Sequence, residues 1–136
     1  MPNRPKPYEV LLNSAQAAHD EGDYKIAVIL AQTSLEIFTE SVLAALYRKR
    51  DIMYLKPEFE HLLINYNLAN AKVSSLYMTL SGDDINQAPF WSAVQQHIVL
   101  RNDLVHEGRD ATPEESSRSL QAVGSLIEHV TSHVEL

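Results

Sequence analysis

One short stretch of the chain combines residue types that suit proton transfer beside a phosphate group: Arg101, Asn102 and His106. Histidine exchanges protons near neutral pH because its reference pKa is ~6.5. Arginine presents a forked cation that matches phosphate oxygens. Asn102 lies one helical turn before His106, where an amide can orient the imidazole or hold a phosphate.

These side chains are predicted at the end of a helix that runs from Pro89 to Glu107 and stops at Gly108. The apolar stripe of this helix is predicted to consist of Trp91, Val94, Ile98 and Val105. Asn102 is expected inside that stripe, with His106 and Arg101 on its two edges. A buried polar group costs ~1–3 kcal/mol unless it is paired. These groups therefore need a partner, which is another helix, water, a ligand or a second subunit.

A purely structural interpretation of the same stretch stays open. Arg101 can pair with a carboxylate and Asn102 with a backbone group. His106 is favoured at the negative end of the helix dipole.

The run Arg101-Asn102-Asp103-Leu104-Val105-His106 resembles the signature of the HEPN superfamily, in which a polar residue follows the arginine and a histidine comes four to six residues later. The segment from Gly22 to Glu36 is similar to the first helical hairpin of many such domains. The resemblance implies a metal-independent endoribonuclease that works as a homodimer, with two motifs facing one cleft, and it implies no cofactor.

RNA cleavage of this kind needs only groups that the motif contains. The 2′-hydroxyl of RNA is the nucleophile, so its proton must be removed and the 5′-oxygen must be protonated as it leaves. The resemblance therefore implies that His106 transfers protons, that Arg101 stabilises the phosphorane and that Asn102 positions them. Single-stranded RNA is the expected substrate, and DNA is not, because DNA lacks the internal nucleophile.

Two further groups of residues are weaker candidates. Glu36 and Glu40 lie one turn apart on a predicted helix, and either could pair with Arg101 or orient His106; a solvated helix edge is the alternative. Arg48, Lys49 and Arg50 form the only basic cluster and could guide RNA. A basic helix end is also what the helix dipole favours.

Hydrophobic periodicity predicts an all-α fold, a four- to five-helix up-and-down bundle of the HEPN type. The predicted helices are Tyr8–Glu21, Tyr24–Arg50, Pro57–Leu80, Pro89–Glu107 and Pro113–His133. The second is apolar on two sides, which predicts a central position or a place at a subunit interface. Residues 1–7 are expected to form a flexible proline-rich leader before one domain of residues 8–136.

Other functions remain possible on the sequence. The motif can serve a noncatalytic HEPN module that binds a nucleotide or a partner protein such as a nucleotidyltransferase. The segment Ala15–Ile37 also resembles one tetratricopeptide hairpin, although no second copy follows. His129 and His133 have the spacing of a zinc pair, but no third ligand is evident, so no metal site is predicted.

Composition narrows the class of protein. The net charge is −7, which disfavours a protein that coats nucleic acid non-specifically. The absence of cysteine excludes disulfides, thiolate metal sites and a cysteine nucleophile. No signal peptide or membrane span is expected, and a cytoplasmic location is the default. A role in a toxin–antitoxin pair or in defence is compatible with a small ribonuclease.

Overall fold

The computed structural model describes residues 4–136, and within that range it contains helices and no strand. The α-helices are α1 (Pro7–Asp20), α2 (Tyr24–Lys49), α3 (Lys56–Leu62), α4 (Ala71–Ser81), α5 (Trp91–Glu107) and α6 (Pro113–Thr131), and single 3-10 turns lie at Met53–Leu55 and Ile85–Gln87. The predicted all-α class is therefore confirmed. The helix count differs, since the described chain has six α-helices and not four or five.

Helix α2 is the central element of the bundle and packs against α1, α6, α5 and α4. Leu35, Tyr47 and Ala44 are all buried, and Tyr47 and Ala44 lie about 120° and 180° around the helix axis from Leu35, which confirms the prediction of a central helix. By length and composition alone α2 could cross a membrane. Of its most apolar 18-residue stretch, however, 56% is buried inside the bundle, as expected for a core helix.

The long helix predicted from Pro57 to Leu80 is wrong. The chain leaves helical geometry after Leu62 and regains it at Ala71. Asn65 adopts a left-handed backbone conformation with φ 57°, which asparagine tolerates better than most residues. Asn70 then caps α4, since its side chain accepts hydrogen bonds from the backbone N–H groups of Lys72 and Val73.

The connection from α5 to α6 is built as the sequence predicts. Gly108 has φ 69° and ends α5 in the left-handed conformation. Thr112 and Glu115 form a reciprocal capping box at the start of α6, with Pro113 at the first helical position. Asp23 precedes α2 at the capping position, but its side chain makes no capping hydrogen bond.

The leader predicted for residues 1–7 lies partly outside the described residues, because the description begins at Arg4. Pro7 is already the first residue of α1. Lys6 Nζ donates a hydrogen bond to the backbone carbonyl of Leu136 at 3.2 Å, so the beginning and the end of the described chain lie side by side.

Candidate functional site

Helix α5 turns a different face to the core from the one predicted. Its buried side chains are Val94, His97 and Leu104. Asn102 is exposed, and Val105 is 49% exposed beyond the end of the packed stripe. The predicted position of Asn102 inside the apolar stripe is therefore wrong. The face of α5 that meets the core is rotated by about one residue position from the predicted apolar stripe. Arg101 therefore points towards the core.

Arg101 holds its guanidinium at the boundary between core and solvent. The residue is half-buried, and its Nε is buried without a hydrogen-bond partner among residues 4–136. Its Nη1 donates a hydrogen bond to Asn102 Oδ1 at 3.2 Å. The guanidinium is thus buried at Nε, and its Nη1 is held by Asn102 at the surface. A buried N–H donor without a partner is unfavourable. Because Nε is buried, an incoming acceptor would meet the Nη groups of this guanidinium.

His106 lies one turn after Asn102 on the exposed surface of α5. Its ring makes no hydrogen bond within the described part of the chain and is free to meet solvent. Val99, which is 60% exposed, lies on the same side of the helix. The exposed edge of α5, defined by Val99, Asn102 and His106, therefore combines an apolar side chain with two polar ones.

Arg101 and His106 do not lie next to each other within one chain. They are five positions apart, which separates them by about 140° around the helix axis. Asn102 lies between them, and it is the residue that Arg101 contacts. A substrate held by both side chains must therefore wrap around the edge of α5, or it must take the two groups from different subunits.

His97 is a buried polar residue one turn before Arg101 that the sequence pattern did not single out. Its ring lies between two other helices, with Nδ1 2.8 Å from Ser119 Oγ and Nε2 3.0 Å from Gln32 Oε1. Because the Gln32 oxygen can only accept, the proton of the neutral ring lies on Nε2 and Ser119 donates to Nδ1. Burial lowers the pKa of His97 to about 4, and the positive charge of Arg101 adds to the shift.

The sequence did contain a signal for His97. Val94, His97, Arg101 and Leu104 follow one another at spacings of three, four and three residues, which places them on a single helix face. The apolar stripe that the sequence predicts runs beside this face. The inner face contains two polar residues, His97 and Arg101. It is therefore less hydrophobic by sequence than the predicted stripe beside it.

The turn after the motif is held by charged groups. Arg109 binds Glu115 through two hydrogen bonds of 3.1 Å each and also lies 3.6 Å from Glu107. The Arg109 guanidinium and the Thr112 backbone lower the pKa of Glu115 to about 2. This turn and the α1–α2 turn together line a cleft of 340 Å³ next to the end of α5.

The two carboxylates predicted to support the motif lie elsewhere. Glu40 pairs with Lys56 at 3.5 Å and not with Arg101. Glu36 is exposed and lies one turn beyond Gln32 on α2. Since α2 and α5 run antiparallel, as the Gln32–His97 contact and the packing of Val28 on Leu104 show, this turn leads away from Arg101. Neither carboxylate reaches the motif within the described chain.

The basic cluster also lies far from the motif. Arg48, Lys49 and Arg50 are at the end of α2, whereas Val28, near its beginning, packs against Leu104 of the motif stretch. The 20 positions between Val28 and Arg48 correspond to ~30 Å along the helix axis. Arg50 is engaged in the fold, since its Nη2 donates to the carbonyl of Leu80 at 2.8 Å. Arg48 lines a separate cleft of 660 Å³.

Comparison of the chain with protein-family models, with curated proteins and with solved structures found no significant match. The resemblance to the HEPN superfamily therefore stays a prediction from residues 101–106 and the early hairpin. The candidate site is defined by its own geometry: a half-buried arginine, a tethering asparagine and an exposed histidine at the end of one helix.

Proposed function

We propose that this protein is a metal-independent endoribonuclease that cleaves single-stranded RNA as a homodimer. Arg101 carries the proposal. Its buried Nε lacks a partner, its Nη1 is held by Asn102, and its remaining donors face the boundary with solvent. A guanidinium fixed in this way is suited to bind a phosphate and to stabilise the extra negative charge of a phosphorane.

His106 supplies the proton chemistry in this proposal. It is exposed, makes no hydrogen bond to residues 4–136 and lies on the exposed edge of α5 next to Asn102. By contrast His97, the nearest buried histidine, keeps a neutral ring engaged on both nitrogens and is not available to substrate. The accessible histidine is therefore the one that can exchange protons with RNA.

A second subunit resolves the separation of Arg101 and His106 around α5. A two-fold axis beside the exposed edge of α5 brings Arg101 of one subunit close to His106 of the other. Val99 is 60% exposed and Val105 49%, and burying them gives such an interface an apolar contribution. The resulting cleft contains two copies of each polar residue.

The reaction that follows needs no outside reactant. One His106 removes the proton of the 2′-hydroxyl, and the 2′-oxygen forms a bond to the adjacent phosphorus. The bond from phosphorus to the 5′-oxygen breaks, and the same His106, now protonated, gives its proton to that oxygen. The products are a 2′,3′-cyclic phosphate and a 5′-hydroxyl, and the proton taken from the 2′-hydroxyl ends on the leaving oxygen, so that each composite site needs one His106.

The test is cleavage of end-labelled single-stranded RNA by the full-length protein in the presence of EDTA. We expect products that end in 2′,3′-cyclic phosphate and no cleavage of DNA of the same sequence. The His61→Ala variant, which removes an exposed histidine on α3, serves as a matched control and should cleave at the wild-type rate. Activity that disappears with chelator and returns with magnesium would contradict the mechanism.

A noncatalytic HEPN-type binding module is the second candidate. It is favoured by the separation of Arg101 and His106 within one chain, which leaves the two residues able to bind a phosphate without acting together. A nucleotide or a partner such as a nucleotidyltransferase or an antitoxin would then occupy the edge of α5. RNA or nucleotide binding without cleavage, abolished by Arg101→Ala, is the result that selects this function.

A further inference from the structure

A second cluster of polar side chains lies at the opposite end of α6 from the motif. Asp83, in the turn after α4, meets His129 and His133 at the end of α6, and one ligand atom from each lies within 4.8 Å of the other two. The sequence offered no third ligand beside the two histidines. The fold supplies one from a turn 46 residues earlier in the chain than His129.

The Asp83 carboxylate is already held in place. Its side chain is only 8% exposed, and Tyr77 Oη donates a hydrogen bond to Oδ2 at 2.7 Å. His129 Nε2 lies 2.9 Å from the same oxygen and 3.1 Å from Oδ1. The ring of His129 packs edge-on against Phe90 with centroids 5.2 Å apart, which fixes its orientation. These contacts are of the kind that orient metal ligands in proteins.

His133 turns an unprotonated nitrogen towards this carboxylate. Its Nδ1 is 2.9 Å from the backbone carbonyl of His129, and because a carbonyl only accepts, the ring proton lies on Nδ1. In the neutral ring Nε2 then carries a lone pair, and it lies 3.8 Å from Asp83 Oδ1. A metal cation between these two electron-rich atoms is therefore attracted by both of them.

We propose that Asp83, His129 and His133 bind a zinc ion, with water completing the coordination. Two imidazoles and one carboxylate form a donor set that zinc accepts at ~2.0–2.2 Å, and tetrahedral ligands at that distance are roughly 3.3 Å apart. The observed separations lie on both sides of this value, so small side-chain rotations close the site. His129 presents the Nε2 lone pair when its proton is on Nδ1.

The ion replaces the direct hydrogen bond between Asp83 and His129, which already connects these two parts of the chain, and it adds His133 to the connection. It ties the α4–α5 connection, through Asp83, to the last turn of α6 and the residues after it. The site lies ~24 Å along α6 from Pro113, which follows the turn that ends the motif helix. The role assigned to zinc is therefore structural, and it is independent of RNA cleavage in EDTA.

Zinc titration of the metal-free, full-length protein tests the proposal, with calorimetry for stoichiometry and a chromophoric chelator for affinity. We expect one zinc ion per chain and a higher melting temperature with zinc. His133→Ala, which changes a residue with a 44% exposed side chain, should lower the affinity at least about tenfold and abolish the shift in melting temperature. Circular dichroism should show an intact helical fold.

Two further variants complete the experiment. Asp83→Asn keeps an acceptor for Tyr77 and removes the charge, so zinc affinity should again fall at least about tenfold. His61→Ala removes an exposed histidine outside the cluster and should bind zinc like the wild type. If the wild type takes up less than half an equivalent of zinc at micromolar free concentration, or if His133→Ala binds as the wild type does, the cluster is a hydrogen-bonded histidine–aspartate pair only.

Discussion

Arg101 Nη1 donates a hydrogen bond to Asn102 Oδ1 at 3.2 Å, while the Nε of the same guanidinium is buried without a partner among residues 4–136. The contact joins a residue of the inner face of α5 to a residue of its exposed edge. It gives Asn102 a definite part in the proposed site, which is to hold the arginine fork at the surface.

Replacing His106 tests proton transfer. Because His106 is exposed and makes no hydrogen bond to the described chain, His106→Ala should leave the melting temperature unchanged. RNA cleavage should fall ~10²–10⁴-fold, the usual contribution of general acid–base catalysis. Cleavage rate and thermal melting are measured on the same preparation. Cleavage at the wild-type rate would remove His106 from the mechanism and favour the binding module.

Replacing Arg101 tests phosphate stabilisation. Arg101→Ala should lower cleavage ~10²–10³-fold, since it removes charge stabilisation from the transition state. Arg101→Lys should restore activity only in part, because a point charge lacks the fork and cannot bind Asn102 in the same way. Urea denaturation should show a loss of no more than about 1 kcal/mol, because the buried Nε has no bond to lose. A larger loss, with activity that follows the folded fraction, indicates a structural role.

Mixing two inactive variants tests whether the site is shared between subunits. In a mixed dimer of Arg101→Ala and His106→Ala chains, one of the two composite sites keeps both residues. We expect an equimolar, co-refolded mixture to recover roughly a quarter of the wild-type rate, since about half of the dimers are mixed and each has one intact site. If the mixture stays inactive while the dimers exchange, the residues act within one chain.

A charge on the exposed edge of α5 should prevent dimer formation. Val99 is 60% exposed, and a carboxylate at its position would be buried unpaired at the proposed interface. Light scattering should give a dimer mass for the wild type and a monomer mass for Val99→Glu, together with loss of cleavage. Ile64→Glu changes an equally apolar residue that is 79% exposed outside this edge, and it should remain dimeric. A monomeric wild type at micromolar concentration contradicts the shared cleft.

His97 should make the stability of the protein depend on pH. Its pKa is lowered from 6.5 to about 4 in the folded state, mainly by burial, so the unfolded chain binds more protons between these values. The contribution of His97 to the free energy of unfolding is fully present above pH ~6.5. It decreases as the pH falls through 4, by ~3 kcal/mol in total. The free energy of unfolding is measured by urea denaturation between pH 7 and 4.

His97→Gln is the reference for that measurement, because it cannot be protonated in this range. The variant should be less stable at pH 7, where Gln32 and Ser119 lose their ring partner, and its stability should fall less steeply with acid. Identical slopes in the two proteins would show that His97 is already solvated in the fold.

Local signals in the sequence determined most of the helices. The bounds of α1, α2 and α6 and the end of α5 follow within two residues from proline at first turns, glycine at ends, a capping box and apolar periodicity, all of which act over a few residues. Helix α5 begins at Trp91 and not at the predicted Pro89. The break between α3 and α4 was not visible, since it depends on Asn65 and Asn70, which lack the strong breaking effect of proline or glycine. Where tertiary packing does not support one continuous helix, the chain leaves helical geometry, and a capping residue starts a new helix.

The face of α5 that meets the core was decided only by tertiary packing. Hydrophobic periodicity places Val105 and Asn102 on the inner side of α5, yet both are exposed. His97 is buried on the inner face instead. Ser119 and Gln32 make that burial possible, and both come from other helices. The meeting of Asp83 with His129 is likewise a product of the fold, because no local rule relates residues so far apart. The types of the reactive residues follow directly from the sequence. Their neighbours in space depend on which helix faces can bury polar groups together with hydrogen-bond partners.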